Sequence, residues 1–211
     1  MKYPGLFITF EGIDGSGKTT QVNFLVNRLN ELSKKYRLFR EPGGTYIGEK
    51  IRDILLDRNN SELFPVTELL LYSASRYQLT KEKIIPSLIE GYIVICDRFY
   101  DSTTAYQGYG RGLNLEFIEE LNKFASCNIE PDITFLIDVS IEERYKRLKR
   151  KMLDRLEIED RDFHEKVREG FLQLAQKNKH RVVVIDGNRP AEEVFASIEK
   201  KLINTIKKRG L

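Results

Sequence analysis

The sequence predicts an α/β fold, a doubly wound parallel sheet flanked by helices, and three observations predict it. Five short apolar runs alternate along the chain with segments in which apolar residues recur at helical spacing, the pattern of a parallel sheet. The first run leads through three glycines directly into a helical pattern. No repeat, low-complexity tract or linker interrupts the alternation, and 211 residues with 41% apolar content suit one domain with a full core.

The first strand is Leu6 to Phe10, and it opens the stretch FITFEGIDGSGKTTQ. Within it, Gly12-x-x-x-x-Gly17-Lys18-Thr19 is the Walker A pattern, in which glycines let backbone N–H groups turn inward around phosphate oxygens. The loop residues Gly12, Ile13, Asp14, Gly15, Ser16 and Gly17 are therefore candidates for holding a polyphosphate. Lys18 would neutralise it, and Thr19 would offer a hydroxyl to Mg2+. Val22, Leu25, Val26, Leu29 and Leu32 then recur as a helix whose N-terminus faces the same anion.

Further strands are expected at Arg37 to Arg40, Tyr92 to Cys96, Ile133 to Val139 and Val182 to Asp186. Helical periodicity covers Ile47 to Leu56, Glu68 to Ile89, Leu115 to Phe124, Ile141 to Lys151 and Glu192 to Lys208. Pro65 and Pro86 punctuate the second of these, and Asn128 to Pro131 marks a loop. Ligands of such sheets collect beyond the carboxyl ends of the strands, which directs attention to Glu11, Arg40, Asp97 and Asp138.

Composition narrows the function classes. A formal charge of +3 is too small to argue for a nucleic-acid surface, and no apolar window is long enough to span a bilayer. No signal pattern precedes the first strand, so a cytoplasmic location is expected. Cys96 and Cys127 fit neither a disulfide scaffold nor a CxxC site, and His164 and His180 lack partners at zinc-ligand spacing.

The third strand ends in VICDRFYDSTTAYQGYGRG. Asp97 there could hold Mg2+ directly or through water, and Arg98 could fork onto a second phosphate. An adjacent acid and base can equally end a strand at a solvated edge; the Walker A loop tips the balance toward the site. REPGGT, Arg40 to Thr45, adds a second arginine at a strand end, followed by a proline and two glycines. Two arginines and a phosphate loop suggest a site for two phosphorylated molecules.

FEGIDGSGKTTQ, REPGGT, SASRYQ, CDRFYDSTTAYQGYGRGL, LDRLE and VIDGNRP, in this order, resemble the bacterial and archaeal thymidylate kinases, within the P-loop nucleoside monophosphate kinases. The resemblance spans nearly the whole chain. It implies a three-layer P-loop NTPase fold with a five-stranded parallel sheet and a mobile LID at about 144–157, a single domain over 1–211, ATP and dTMP as substrates, Mg2+, and a homodimer. By the same resemblance Tyr72 stacks on thymine and Arg76 bonds its edge; the two are one helical turn apart, which geometry allows. Arg98 grips the dTMP phosphate, Ser102 and Thr103 lie along the nucleotide, Tyr106 packs against deoxyribose, Gln107 completes the thymine side, and Arg40 and Asp14 stand near the acceptor.

Arg144 to Glu157 carries seven Lys or Arg residues, which could be no more than a solvated helix face. The resemblance makes this segment the LID. Because Gly15 follows Asp14 where the other thymidylate kinase subclass has an arginine, it also makes the LID the source of the catalytic cation, Arg150 first, with Arg147 and Arg155 behind it. Rival readings are a P-loop kinase with another small-molecule acceptor and a GTPase-type switch. The latter needs an Asn-Lys-x-Asp run, which neither Asn122-Lys123 nor Asn178-Lys179 continues.

Overall fold

The computed structural model describes residues 3–149 and 152–210. Five strands, β1 (Leu6–Glu11), β2 (Tyr36–Arg40), β3 (Ile93–Asp97), β4 (Ile133–Asp138) and β5 (Val182–Asp186), form one sheet in the order β2-β3-β1-β4-β5. Every neighbouring pair is parallel. β1 is central, so the loop that follows it emerges where the strand order reverses, the usual ligand crevice of such sheets.

Alternation along β1 sorts its residues between two layers. Leu6, Ile8 and Phe10 pack with Val22, Leu25 and Leu29 of α1 (Lys18–Glu31) and Ile198 and Leu202 of α9 (Ala191–Arg209). Phe7 points the other way and joins Val94, Cys96, Leu79 and Leu88 beneath α3 (Pro65–Leu79) and α4 (Ile85–Ile89). Every β1 residue is buried, as a strand covered on both faces must be. No helix among the described residues is long and apolar enough to cross a membrane.

The remaining helices are α2 (Tyr46–Leu56), α5 (Tyr100–Thr103), α6 (Leu115–Ala125), α7 (Ile141–Leu148) and α8 (Arg161–Lys177). Two departures from the sequence reading have physical causes. The single helix expected over Glu68 to Ile89 is α3, a π-helical turn Thr80–Ile84, and α4. Pro86 has no N–H for the carbonyl four residues back and its ring collides with that carbonyl, so the chain widens just before it.

The second departure is α8, which the periodicity reading omits. Phe163, Val167, Phe171 and Leu174 do recur at helical spacing, but charged residues fill the positions between them. Asp160 caps the helix, accepting from the Phe163 N–H at 2.7 Å. α8 packs against a second π-helical segment, Thr104–Gly110, and covers β4 and β5. The close approach needs Gly170: a Cβ there would lie 2.7 Å from the Tyr109 ring. Gly170→Ala is expected to lower stability by about 1–3 kcal/mol through this overpacking, read as a drop in urea midpoint at unchanged slope.

Candidate active site

The loop after β1 follows the backbone logic of its sequence. Gly12, Gly15 and Gly17 have φ of 137°, 79° and 97°, a region that penalises a Cβ. At Gly12 a Cβ would also collide with the Ile137 carbonyl oxygen. Lys18 folds back over the loop, its Nζ donating to the carbonyls of Gly12 and Ile13 at 3.0 Å each. Burial, with the nearby Arg98 charge, pushes the Lys18 ammonium down to about 8. The Ile13 side chain turns into the core and Ser16 is buried, so what these two residues offer a ligand is backbone.

A cavity of about 410 Å³ opens from this loop, and most of the expected site residues line it. Asp14, Gly15, Gly17, Lys18 and Thr19 form one end; Arg40, Tyr72, Arg76, Asp97, Arg98, Ser102, Thr103, Tyr106 and Gln107 form the rest. At the end of β3, the Thr19 hydroxyl stands 3.4 Å from Asp97 Oδ2, while Asp97 Oδ1 is buried with no protein partner. An orphaned carboxylate oxygen beside a hydroxyl, at the foot of a phosphate loop, fits a hard cation with oxygen ligands.

Arg98 has φ 72°, a left-handed backbone that costs a non-glycine residue about 1–2 kcal/mol. Its guanidinium accounts for that expense: Nη1 donates to the Gly12 carbonyl at 3.0 Å and to Ser102 Oγ at 2.9 Å, and Nη2 pairs with Asp14. Tyr106 donates its hydroxyl to Asp14 Oδ2 at 2.7 Å. Burial would raise the Asp14 carboxyl, but Arg98 and Lys18 outweigh it and hold it below the usual carboxylate range. Behind Arg98, Glu11 accepts the Phe99 N–H at 2.7 Å and the Ser102 hydroxyl, and burial with the Asp101 charge raises it to about 8.

On the far side of the cavity Arg76, Gln107 and Arg40 are each held by a carboxylate the sequence reading did not single out. Arg76, 1% exposed, donates from Nε to Glu41 at 2.7 Å and from Nη1 to Asn122 at 3.2 Å. Burial raises Glu41 to about 7 against the pull of Arg76. Gln107 donates to Glu68 at 2.8 Å. Arg40 pairs with Glu49 at 2.8 Å and with the Pro42 carbonyl, to which Arg52 also donates. Burial raises the Tyr72 phenol, which stays neutral. One signal could have found Glu68: it stands at i−4 from Tyr72 and i−8 from Arg76, on one helix face.

The basic segment divides. Arg147 lies across the phosphate loop, donating to the Gly15, Ser16 and Gly187 carbonyls at 3.3, 3.1 and 2.8 Å. Arg155 is committed elsewhere, to Glu68 at 2.6 Å and the Leu55 carbonyl at 2.8 Å, which removes it as a free cation. Arg144 is wholly buried, bonded to the Glu157 carbonyl at 2.9 Å and to His164 at 2.8 Å. Arg150 lies outside the described residues.

A parallel sheet with a glycine-rich phosphate loop at the end of its central strand, feeding a helix N-terminus, defines the P-loop nucleotide-binding class. The family model "Thymidylate kinase" matches residues 10–198. The thymidylate kinase of Thermoanaerobacter sp. is 50% identical over 97% of this chain and 98% of its own length. That of Caldanaerobacter subterraneus subsp. tengcongensis is 51% identical over 96% and 95%. Among solved structures, the thymidylate kinase from Ehrlichia chaffeensis superposes with a TM-score of 0.78 at 41% identity, covering 94% of this chain and 98% of the other. The chain belongs to the thymidylate kinase family.

His164 carries a pH prediction. Burial, then the Arg144 charge, lower it from 6.5 to about 4. The unfolded chain therefore binds a proton near pH 6.5 that the fold refuses until about pH 4, so this group makes stability fall as pH drops between those values. In urea titrations from pH 7 to 4.5, His164→Gln, whose amide oxygen can still accept from Arg144, is expected to show a shallower fall than the parent.

Proposed function

We propose that the protein transfers the γ-phosphoryl group of ATP to dTMP, giving dTDP and ADP, with the roles assigned as follows. The observation that carries this reading is the union, in one cavity, of the phosphate loop with Arg98 and with the Tyr72, Arg76 and Gln107 wall. ATP lies with its phosphates on Gly12 to Thr19; dTMP enters opposite, its phosphate on Arg98 and Arg40, its ring against Tyr72 and its sugar against Tyr106, with Ser102 and Thr103 alongside.

The attacking oxygen belongs to a phosphate that is already ionised, so no general base is required. What the chain must supply is alignment of two anions and neutralisation of charge on the transferring group. Lys18 leaves its two carbonyls for the phosphates, whose charge holds its proton on. Arg98 is fixed by Asp14 and Ser102 before substrate arrives, so little ordering remains. Thr19 and Asp97 would hold Mg2+, which when bound shields the phosphate oxygens. Residues 1–211 act as a single domain, and the LID at about 144–157 brings Arg150 as the remaining cation.

The same reading includes a homodimer acting in the cytoplasm. Ile47 and Ile54 of α2, Leu70 and Tyr77 of α3, and Phe117 and Phe124 of α6 are exposed apolar residues in pairs seven apart. The Tyr77 and Phe124 rings stack at 5.7 Å, joining α3 to α6 in one patch of the kind that oligomers cover. Leu70→Glu with Tyr77→Glu is expected to convert a dimer to monomer in sedimentation equilibrium; an unchanged mass would reject this face.

ADP formation from ATP across a panel of nucleoside and deoxynucleoside monophosphates, with and without Mg2+, tests the activity. A clear maximum with dTMP that requires the metal is expected. A maximum with AMP or another acceptor selects the rival kinase reading, and hydrolysis indifferent to every acceptor selects a switch.

A further inference from the structure

Gln107 raises a question its residue type leaves open. A primary amide has a donor end and an acceptor end of the same shape, and either could face the cavity. The two choices read opposite bases. A pyrimidine dione such as thymine carries a ring N–H, a donor, between its two carbonyls, whereas cytosine presents a ring acceptor beside an amino donor.

We infer that Glu68 is a positioning residue that sets the hydrogen-bond polarity of the base pocket: its carboxylate fixes the Gln107 amide with Nε2 inward and Oε1 toward the ligand. This deepens the proposed function and rests on it. Gln107 Nε2 donates to Glu68 Oε1 at 2.8 Å. The Glu68 oxygens also accept from Arg111 Nε and Nη2 at 3.3 and 3.2 Å and from Arg155 Nη2 at 2.6 Å. With donors already on both oxygens, a 1% exposed carboxylate offers Gln107 lone pairs and nothing else. A flipped amide would set oxygen against oxygen, away from water that could relieve it.

The consequence reaches the cavity. Gln107 lines it with one Nε2 hydrogen committed to Glu68, which turns Oε1 away from the carboxylate and leaves it as the acceptor of that side chain, beside the second Nε2 hydrogen. Arg76 lines the same cavity and can only donate. With Oε1 facing the ring, as inferred, donor and acceptor together match a carbonyl next to a ring N–H, while cytosine's amino group opposes Arg76 and its ring acceptor opposes Oε1. The wall is thus selective through a carboxylate that touches no substrate.

Glu68→Gln tests this, because a glutamine at 68 presents donor or acceptor with equal ease and frees the amide opposite it. The ratio of kcat/KM for dTMP over dCMP is expected to fall by about tenfold or more, mainly through KM. Glu68→Asp, still acceptor-only, is expected to keep most of the ratio. Arg111→Met removes another Glu68 contact without touching Gln107, and is expected to cost stability while leaving the ratio in place. A parental ratio in folded Glu68→Gln, with only thermal stability lowered, would reduce Glu68 to an ion-pair anchor and overturn the inference. Should that variant not fold, the parent protein labelled with 15N-glutamine gives the reading: the Gln107 NH2 is expected to stay protected from exchange with and without dTMP, and exchange at the rate of a free amide overturns it. A parent that does not prefer dTMP would instead reject the functional reading.

Discussion

The site depends on one buried guanidinium. Arg98 leaves β3 with a left-handed backbone, bonds the Gly12 carbonyl and pairs with Asp14, tying the strand beside β1 to the loop that follows β1. A cation so placed is tolerable only if its donors are met, and they are met by the same loop that must receive phosphate. Tyr106 and Ser102, from the turns after β3, complete the set. The phosphate loop and this wall of the cavity are therefore one hydrogen-bonded unit built on two adjacent strands.

The same construction repeats around the cavity. Arg76 is backed by Glu41, Arg40 by Glu49, and Gln107 by Glu68. A wall of unpaired cations would attract anions and also repel itself and collapse onto any carboxylate in reach. Pairing each with a fixed acid directs the remaining N–H groups and limits the side-chain entropy lost on binding. α3 carries this burden on one face, through Glu68, Tyr72 and Arg76, while its other face presents Leu70 and Tyr77 to the surface.

The sheet and the residues that line the cavity were legible in sequence because they obey local rules. Alternation gave the five strands, and Gly12, Gly17, Lys18 and Thr19 announced the phosphate loop through backbone needs that few other residues meet. Arg98 stood out by its place at a strand end beside the phosphate loop, whereas Tyr72 and Tyr106 became legible only through the family resemblance. The supporting acids were not, since Glu41 and Glu68 read as ordinary charges until the fold brings Arg76, Gln107 and Arg155 to them from 35, 39 and 87 residues away. α8 was missed because its apolar stripe is narrow, with Gly170 standing where a core side chain would have announced the helix. The break after Leu79 needed the π-helical turn, which no period of 3.6 encodes.

Lys18 gives the loop a further property. Its ammonium donates to the Gly12 and Ile13 carbonyls of the loop itself, so part of its hydrogen-bonding capacity is met from within the loop. An incoming ligand must outbid two carbonyl dipoles before it gains the cation. A lone orthophosphate offers one compact charge to set against that loss, whereas a triphosphate brings several oxygens that engage Lys18 and the α1 N-terminus at once. The two carbonyl bonds thus weigh more against a ligand with few phosphate oxygens than against one with many.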